Sequence, residues 1–181
     1  MKGSSFLRKF FPDERVTTVE DVDYQKLIDS GIKAVIFDLD NTIARWGDDS
    51  LAEEIIELFE RLTSLGLKVG ILSNSRRETI EDFIKVLPFP HLFNANKPSL
   101  KGFKSILAEL DVSPEETAMI GDQLFTDVLG ANRLDMYTVR VEPIDPDREY
   151  RFTKLNRVGE KVILFLREVY RSLRQLKETV C

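Results

Sequence analysis

The stretch AVIFDLDNTIARWGDD, residues Ala34–Asp49, is the part of the chain that decides its fold. Four apolar residues, typical of a buried strand, run directly into Asp38 and Asp40, and Asn41 and Thr42 follow at once. Two carboxylates at the end of a buried strand repel each other, and both lose contact with water. The sequence therefore raises the question of which ligand compensates these two charges.

Strand-like and helix-like segments alternate along the chain, which predicts an α/β domain around a central parallel sheet of five strands. We predict one domain over residues 1–181, with a core at about 32–141, an N-terminal segment at 1–31 and a helical basic tail at 152–181. The predicted strands lie in IKAVIFDLD, LKVGILSNS, PHLFNANKP, TAMIGD and MYTVRVEP. The predicted helices lie in LAEEIIELFERLTSLG, RRETIEDFIKVL, LKGFKSILAEL and LFTDVLGANRL, and Gly66 is expected to end the first of them.

The composition argues against several classes of protein. The 181 residues are 43% hydrophobic and carry a net charge of −5, which suits one sizeable core and argues against nucleic-acid binding. The single cysteine, Cys181, cannot form an internal disulfide, and no apolar run reaches the roughly 20 residues that span a bilayer. We therefore expect a cytoplasmic protein. The charge is uneven, because the residues from Arg151 onward include eight basic and three acidic side chains.

Polar side chains follow the ends of four predicted strands. Because the carboxyl ends of parallel strands meet at one edge of a sheet, we expect these groups to lie together. Crowded carboxylates need a hard cation such as Mg²⁺, and a lysine ammonium with a serine hydroxyl could hold phosphate oxygens. The sequence thus predicts a divalent cation beside a phosphate site. The groups concerned are Asp38 and Asp40, then Ser73 and Asn74, then Lys97, and finally Asp122 and Asp127.

The same residues resemble a known family. The segments Asp38–Thr42, Ser73–Asn74, Lys97–Pro98 and Gly121–Asp127 resemble, in order and spacing, the four motifs of haloacid dehalogenase (HAD) superfamily phosphatases. The residues around them, with the leading KFFPDE, are more similar still to the YqeG-like type IIIA branch, which resembles mitochondrial phosphatidylglycerophosphate phosphatases. The resemblance spans about Ile32–Val141 and implies a HAD-like, Rossmannoid three-layer α/β/α fold.

The resemblance also implies a role for each site residue. Asp38 would be the nucleophile that forms an aspartyl-phosphate, and Asp40 the general acid and base. Mg²⁺ would be held by the Asp38 carboxylate, the Asp40 backbone carbonyl and Asp122, with Asp127 as a further ligand or as a support for the ligands. The phosphoryl group would be bound by Ser73, Asn74 and Lys97, and Thr42 would support the loop. Both places at which relatives insert a cap domain are short here, so we expect an open site without a cap domain.

Each of these residues also has an ordinary interpretation. Asp40 could belong to a turn, Lys97 could be a solvated lysine, and Asp122 could cap a helix. Two other classes of function are open. One is a phosphorylation-controlled, receiver-like signalling domain, and the other is a non-catalytic assembly protein on the same fold. The D-x-D pair on the first strand and the complete set of carboxylates favour the Mg²⁺-dependent phosphatase.

Two basic segments that also contain apolar residues predict peripheral contact with a membrane. In FLRKFF, apolar residues surround Arg8 and Lys9, and the tail from Val158 to Lys177 has the pattern of an amphipathic helix. An open site suits a phospholipid headgroup, so phosphatidylglycerophosphate at the inner membrane surface is the predicted substrate, and phosphatidylglycerol the product. The tail helix could instead pack on the sheet, and an oligomer in which another subunit covers the site is also open. The apolar residues of FLRKFF are Phe6, Leu7, Phe10 and Phe11.

Overall fold

The structure is a computed structural model, and it describes residues 8–76, 78–85, 87–147 and 159. The chain divides into two compact units, Met1–Arg148 and Glu149–Cys181, and every described residue except Gly159 belongs to the first. The helix predicted for the basic tail at 152–181 therefore lies, apart from Gly159, outside the described residues. The predicted domain boundaries stay a prediction.

One sheet forms the centre of the described unit. Its strands are β1 (Glu14–Arg15), β2 (Ala34–Phe37), β3 (Lys68–Leu72), β4 (His91–Leu92), β5 (Thr117–Gly121) and β6 (Tyr137–Arg140). They lie in the order β1-β6-β5-β2-β3-β4, and every neighbouring pair is parallel. The residues that directly follow the strands therefore meet at one edge of the sheet, which we call the carboxyl edge. The residues that precede the strands form the opposite, amino edge.

The connections between the strands are mostly helical. The described α-helices are α1 (Tyr24–Asp29), α2 (Glu53–Ser64), α3 (Glu78–Lys85), α4 (Leu100–Leu110) and α5 (Leu129–Asn132). A 3₁₀ turn spans Pro114–Glu116, and a π-helical turn at Leu124–Val128 leads into α5. The predicted end of α2 is confirmed, because Gly66 has a φ of 87° and the Leu67 N–H donates to the Leu62 carbonyl at 3.0 Å.

Alternate residues of β2 face two separate hydrophobic cores. Val35 and Phe37 pack in one core with residues of α1, α2 and α3, whereas Ala34 and Ile36 pack in the other with residues of α4 and α5. All four side chains are buried, which explains why the strand reads as a continuous apolar run. Helices on both faces of a parallel sheet confirm the predicted three-layer α/β/α Rossmannoid architecture.

The prediction of five strands is wrong by one strand. β1 lies in the N-terminal segment that was predicted outside the core, and it pairs with β6 at the edge of the sheet. Its two residues, Glu14 and Arg15, are too few to produce an alternating hydrophobic pattern. Hydrogen bonds next to the strand hold it in place, because Asp13 Oδ2 accepts from both the Thr138 N–H and the Thr138 hydroxyl at 2.9 Å.

Of the described apolar residues of the predicted membrane anchor, Phe10 is buried in the domain and Phe11 is half-buried. The Phe10 side chain is only 8% exposed, and its ring meets the Phe125 ring edge to face, with 5.7 Å between the centroids. The assignment of Phe10 to a membrane anchor is therefore wrong, because its apolar surface is already buried against protein. Phe6 and Leu7 lie outside the described residues. Within the described part of the chain, no helix is both long and apolar enough to cross a bilayer.

The two connections in which a cap domain was considered are short. Residues 43–52 lead to α2 without a regular helix or strand, and the described residues between 73 and 97 form α3 and β4. As far as the described residues extend, neither connection adds a domain over the carboxyl edge.

Candidate active site

The residues after β2 form a tight loop that contains Asp38. The Asp38 N–H donates to the Ile120 carbonyl at 2.9 Å, which extends the pairing of β2 with β5 by one residue. The Asn41 N–H donates to the Ala44 carbonyl at 2.7 Å, and Asn41 has a left-handed φ of 63°. Asparagine adopts this conformation more readily than most residues, so the Asp-Asn sequence suits the turn. The loop holds the Asp38 side chain in a buried position.

Three carboxylates from three parts of the chain meet at the carboxyl edge. Asp38 follows β2, Asp122 follows β5, and Asp127 lies in the π-helical turn. All three residues are buried, and one oxygen atom from each lies within 4.8 Å of the others. The structure thus brings together the three acidic side chains that were predicted as metal ligands.

The Lys97 ammonium lies among these carboxylates. Its Nζ is 2.5 Å from Asp38 Oδ1 and 2.7 Å from Asp127 Oδ1, and it donates to the Leu72 carbonyl at 2.8 Å. The Lys97 side chain is 1% exposed, so the interpretation of Lys97 as a solvated lysine is wrong. We call Asp38, Lys97, Asp122 and Asp127 together the acidic cluster.

The acidic cluster has an excess of negative charge. Three carboxylates against one ammonium leave a net charge of −2 when all four groups are ionised. Burial raises the pKa of Asp38 well above its ordinary value, against the attraction of Lys97, and repulsion by Asp127 and Asp122 adds to the rise. Burial alone would lower the pKa of Lys97, but the Asp127 and Asp38 carboxylates outweigh it and raise that pKa, so the ammonium stays charged.

A divalent cation fits the acidic cluster. Its charge would offset the net charge of −2, and carboxylate oxygens are the ligands that hard divalent cations prefer. Lys97 Nζ, 2.7 Å from Asp127 Oδ1, supplies one positive charge against the three buried carboxylates. A divalent cation would compensate the negative charge that remains.

The Asp127 carboxylate is packed against the backbone. Its Oδ2 accepts a hydrogen bond from the Gln123 N–H at 3.1 Å. A Cβ atom at Gly121 would lie 2.5 Å from the same Oδ2, closer than non-bonded atoms approach each other, so only glycine fits there. The steric requirement at Gly121 was not predicted from the sequence, because it depends on the fold of the π-helical turn.

Thr42 connects two members of the acidic cluster. Its Oγ1 lies 3.5 Å from Asp38 Oδ2 and 3.4 Å from Asp122 Oδ1, and the residue is buried. Both distances are long for hydrogen bonds, so the contacts are weak. The expected role of Thr42 as a support of the loop stays a prediction.

Ser73 and Asn74 directly follow β3. The Ser73 Oγ accepts a hydrogen bond from the Ser75 N–H at 2.9 Å, so the hydroxyl hydrogen can donate to another oxygen. Asn74 Nδ2 donates to the Lys97 carbonyl at 3.1 Å, and Asn74 Oδ1 accepts from the Lys97 N–H at 2.7 Å. Asn74 thus holds the backbone of Lys97 through both polar atoms of its side chain.

Asp40 lies in the loop after β2, two residues beyond Asp38. It is half-buried, whereas the three carboxylates of the acidic cluster are buried, and its backbone pairs with Ala44 across the loop. One supporting residue was not predicted: Arg140 Nε donates to the Asp122 carbonyl at 3.1 Å. Arg140 could be assigned this role only once β6 was known to lie beside β5.

Comparison with known proteins identifies the family. The model of the haloacid dehalogenase-like hydrolases matches residues 43–135. The probable phosphatase YqeG of Bacillus subtilis strain 168 is 36% identical over 159 residues, which cover 87% of this chain and 92% of that protein. The chain belongs to the haloacid dehalogenase-like hydrolases. It is an enzyme, a phosphoric monoester hydrolase, and this family uses a divalent metal ion.

Two further matches to this HAD-like hydrolase are partial or distant. Glyceraldehyde 3-phosphate phosphatase of Pyrococcus abyssi is 32% identical over 88 residues, which cover 44% of this chain and 37% of that protein. A putative beta-phosphoglucomutase from Thermotoga maritima shares the fold, with a TM-score of 0.53 and 13% identity over 76% of this chain and all of that one. The phosphatase relatives favour phosphate hydrolysis over the receiver-like and assembly functions. The similarity to mitochondrial phosphatidylglycerophosphate phosphatases stays a prediction.

Proposed function

We propose that the chain is a Mg²⁺-dependent phosphatase that hydrolyses phosphate monoesters through an aspartyl-phosphate on Asp38. One observation carries this proposal: Asp38, Asp122 and Asp127 have oxygen atoms within 4.8 Å of one another, and the Lys97 ammonium contacts two of these carboxylates. Burying this much charge costs free energy unless a ligand compensates it. A cation would pair with the carboxylates, and a phosphoryl group would pair with the Lys97 ammonium.

The reaction proceeds in two displacements at phosphorus. In the first, an Asp38 oxygen bonds to phosphorus, the bond from phosphorus to the ester oxygen breaks, and Asp40 protonates the departing oxygen. In the second, Asp40 removes a proton from water while the water oxygen bonds to phosphorus. The bond between phosphorus and Asp38 then breaks, which releases inorganic phosphate and restores the carboxylate.

The remaining residues bind the metal ion and the phosphoryl group. The residues that would hold Mg²⁺ are Asp38 through its carboxylate, Asp40 through its backbone carbonyl, and Asp122, with Asp127 as a further ligand or a support. When bound, a divalent cation neutralises negative charge on the transferring phosphoryl group. The other phosphoryl oxygens accept hydrogen bonds from the Lys97 ammonium and the Ser73 hydroxyl, and Asn74 borders this site and positions Lys97.

The test is the hydrolysis of p-nitrophenyl phosphate by the full-length chain, freed of metal with EDTA and then supplied with Mg²⁺, Mn²⁺ or Ca²⁺. We expect sustained turnover only when a metal ion is added, and we expect Mg²⁺ to restore it. A single stoichiometric phosphorylation would favour the receiver-like domain instead. The absence of any phosphate release would favour the assembly protein.

The proposed physiological substrate is phosphatidylglycerophosphate, reached by peripheral contact with the membrane. The support is the absence of a cap domain in the described connections, which leaves room for a bulky headgroup. The predicted anchor contributes less than expected, since Phe10 is buried, and the tail at 152–181 lies, apart from Gly159, outside the described residues. Co-sedimentation with anionic and neutral vesicles at low and high salt, together with phosphate release from phosphatidylglycerophosphate, tests both parts. If there is neither a preference for anionic vesicles nor release, the lipid proposal is wrong.

A further inference from the structure

Residues 141–145, which directly follow β6, connect two other parts of the carboxyl edge. We call them the bridging segment. The Val141 N–H donates to the Gly121 carbonyl at the end of β5 at 3.1 Å. The Ile144 N–H donates to the Asn41 carbonyl in the loop after β2 at 3.0 Å. The bridging segment therefore ties the end of β5 to the loop after β2.

Asn41 bonds to the bridging segment through its side chain as well as its backbone. Its Oδ1 accepts a hydrogen bond from the Asp145 N–H at 3.3 Å, in addition to the bond between its carbonyl and the Ile144 N–H. The side-chain bond is the longer of the two, but Asn41 is buried, so water competes little for it. The Asn41 N–H donates to the Ala44 carbonyl at 2.7 Å. Asn41 is therefore fixed both within its own loop and to a segment distant in sequence.

Three conditions at position 41 together favour asparagine. The φ of 63° is left-handed, and glycine, asparagine and aspartate adopt this conformation with the least strain. The bond from the Asp145 N–H needs an acceptor on a short side chain, which glycine lacks. Aspartate would supply the acceptor, but it would add a negative charge to a loop that already carries Asp38 and Asp40. Asparagine meets all three conditions.

Asp40 depends on this attachment more than Asp38 does. The Asp38 N–H is held by the Ile120 carbonyl at 2.9 Å, and the Asp38 carboxylate contacts the Lys97 ammonium. Asp40 directly precedes Asn41 in the chain and is half-buried. A shift of Asn41 would therefore displace Asp40 and leave the contacts of Asp38 in place.

We propose that Asn41 is a positioning residue for Asp40, and that its bonds to the bridging segment hold the Asp40 carboxyl within reach of the leaving oxygen. The inference rests on the proposed phosphatase function, because it concerns the group that protonates the alcohol in that reaction. Proton transfer needs donor and acceptor atoms about 2.6 to 3.2 Å apart. A displacement of about 1 Å can lower a rate about a hundredfold, so the loss of one anchoring bond is enough to slow this step.

The test compares two esters whose leaving oxygens differ in their need for a proton. The ethoxide of ethyl phosphate is strongly basic and has to be protonated as it leaves, whereas p-nitrophenolate is weakly basic and leaves with little assistance. For each ester, kcat/KM is measured with the full-length chain at saturating Mg²⁺. This quantity covers the steps up to the phosphorylation of Asp38, so the second displacement does not contribute to it. The wild type should hydrolyse both esters.

Asn41→Gly tests the side-chain bond, because glycine keeps the left-handed backbone and removes Oδ1. General acid catalysis contributes about a hundredfold to ten-thousandfold, so this variant should lower kcat/KM for ethyl phosphate about ten- to a hundredfold. For p-nitrophenyl phosphate the fall should be about threefold or less, because little protonation is needed. Asn94→Gly is the matched control, since Asn94 also has a left-handed φ, 52°, but is exposed and follows the edge strand β4. It should keep the wild-type values for both esters, and circular dichroism establishes that each variant is folded.

A double variant tests whether Asn41 acts through Asp40. Asp40→Asn should itself lower kcat/KM more for ethyl phosphate than for p-nitrophenyl phosphate. Adding Asn41→Gly to Asp40→Asn should then lower kcat/KM for ethyl phosphate by less than about twofold, because residues that act through one another are not additive. Full additivity of the two substitutions would show that Asn41 acts elsewhere, and it would overturn the inference.

The outcomes separate the two proposals. An equal fall for both esters in folded Asn41→Gly, no fall for either, or the same change in Asn94→Gly would overturn the role of Asn41 and leave the phosphatase intact. Wild-type turnover of p-nitrophenyl phosphate alone would also overturn it, because Asp40 would then not assist the leaving group. The absence of turnover on both esters would overturn the phosphatase and the positioning role together.

Discussion

The two edges of the sheet carry ion pairs of the same length in opposite surroundings. At the amino edge, Lys33 Nζ lies 2.5 Å from Glu116 Oε1, and the two side chains are 65% and 35% exposed. At the carboxyl edge, Lys97 Nζ lies 2.5 Å from Asp38 Oδ1, and the side chains are 1% and 6% exposed. The distance between the charges is therefore not what distinguishes the two pairs.

The difference in exposure changes what each pair can do. Water and salt screen the pair at the amino edge, so it contributes little to stability, although Lys33 lowers the pKa of Glu116. The pair at the carboxyl edge has lost its water and is accompanied by two further carboxylates. This teaches that the buried charges are retained for binding and chemistry, because a structure selected for stability alone would gain by replacing them.

The largest effect is expected at the carboxyl edge for Asp38→Asn. An amide cannot accept the phosphoryl group, so turnover should fall by at least about a thousandfold, as is usual when a nucleophile is removed. The free energy of unfolding without metal should stay equal or rise, because one negative charge leaves the acidic cluster. Steady-state kinetics and urea unfolding measure the two quantities, and retention of more than about a tenth of the activity would contradict the covalent mechanism.

The second prediction is that the activities of Asp122 and Asp40 variants respond differently to added Mg²⁺. Asp122→Ala should weaken Mg²⁺ binding, so activity should partly return at high Mg²⁺. Asp40→Asn should lower turnover about a hundredfold or more at every Mg²⁺ concentration, because the carboxylate transfers protons. Titration of activity with Mg²⁺ distinguishes the two variants, and an identical response would contradict the division of roles.

Removal of the buried ammonium should affect stability as well as activity. Lys97→Ala leaves three buried carboxylates without their cation, and the free energy of unfolding in EDTA should fall by about 3 to 5 kcal/mol. Mg²⁺ should reduce this loss, and Asp38→Asn combined with Lys97→Ala should be less destabilised than Lys97→Ala alone. Urea unfolding with and without Mg²⁺ provides the measurement. A stability close to that of the wild type in EDTA would show that the carboxylates are not charged together.

The smallest effect is expected at the amino edge for Lys33→Ala. The pair with Glu116 is exposed, so the free energy of unfolding should change little, and any change should vanish in high salt. Turnover and its dependence on Mg²⁺ should equal those of the wild type. A loss of activity in this variant would break the contrast between the two edges.

Much of the fold and the site could be predicted from local sequence. The apolar run before Asp38 indicates a strand buried on both faces, and the polar residues after each strand place Lys97, Asp122 and Asp127 at one edge. These inferences need only the direction of the strands and the rule that parallel strands end together. They hold before the order of the strands in the sheet is known.

The features that were not predicted depend on contacts between distant segments. β1 is too short to produce a pattern, and it is held by Asp13 and Thr138 across the sheet. Phe10 resembles a membrane anchor in sequence, but its partner Phe125 is far away along the chain. The predicted helix after Asp122 begins as a π-helical turn, and its packing against Gly121 can be seen only in three dimensions.

The most direct test of the proposed chemistry at the carboxyl edge is to identify the phosphorylated residue during turnover. The enzyme is mixed with a phosphate ester and Mg²⁺, quenched with acid and reduced with borohydride, which converts an aspartyl-phosphate into homoserine. Peptide mass spectrometry then locates the modified position. We expect homoserine at position 38 in the wild type and none in Asp38→Asn. Turnover without a modification there, or a modification at another residue, would contradict the assignment of Asp38 as the nucleophile.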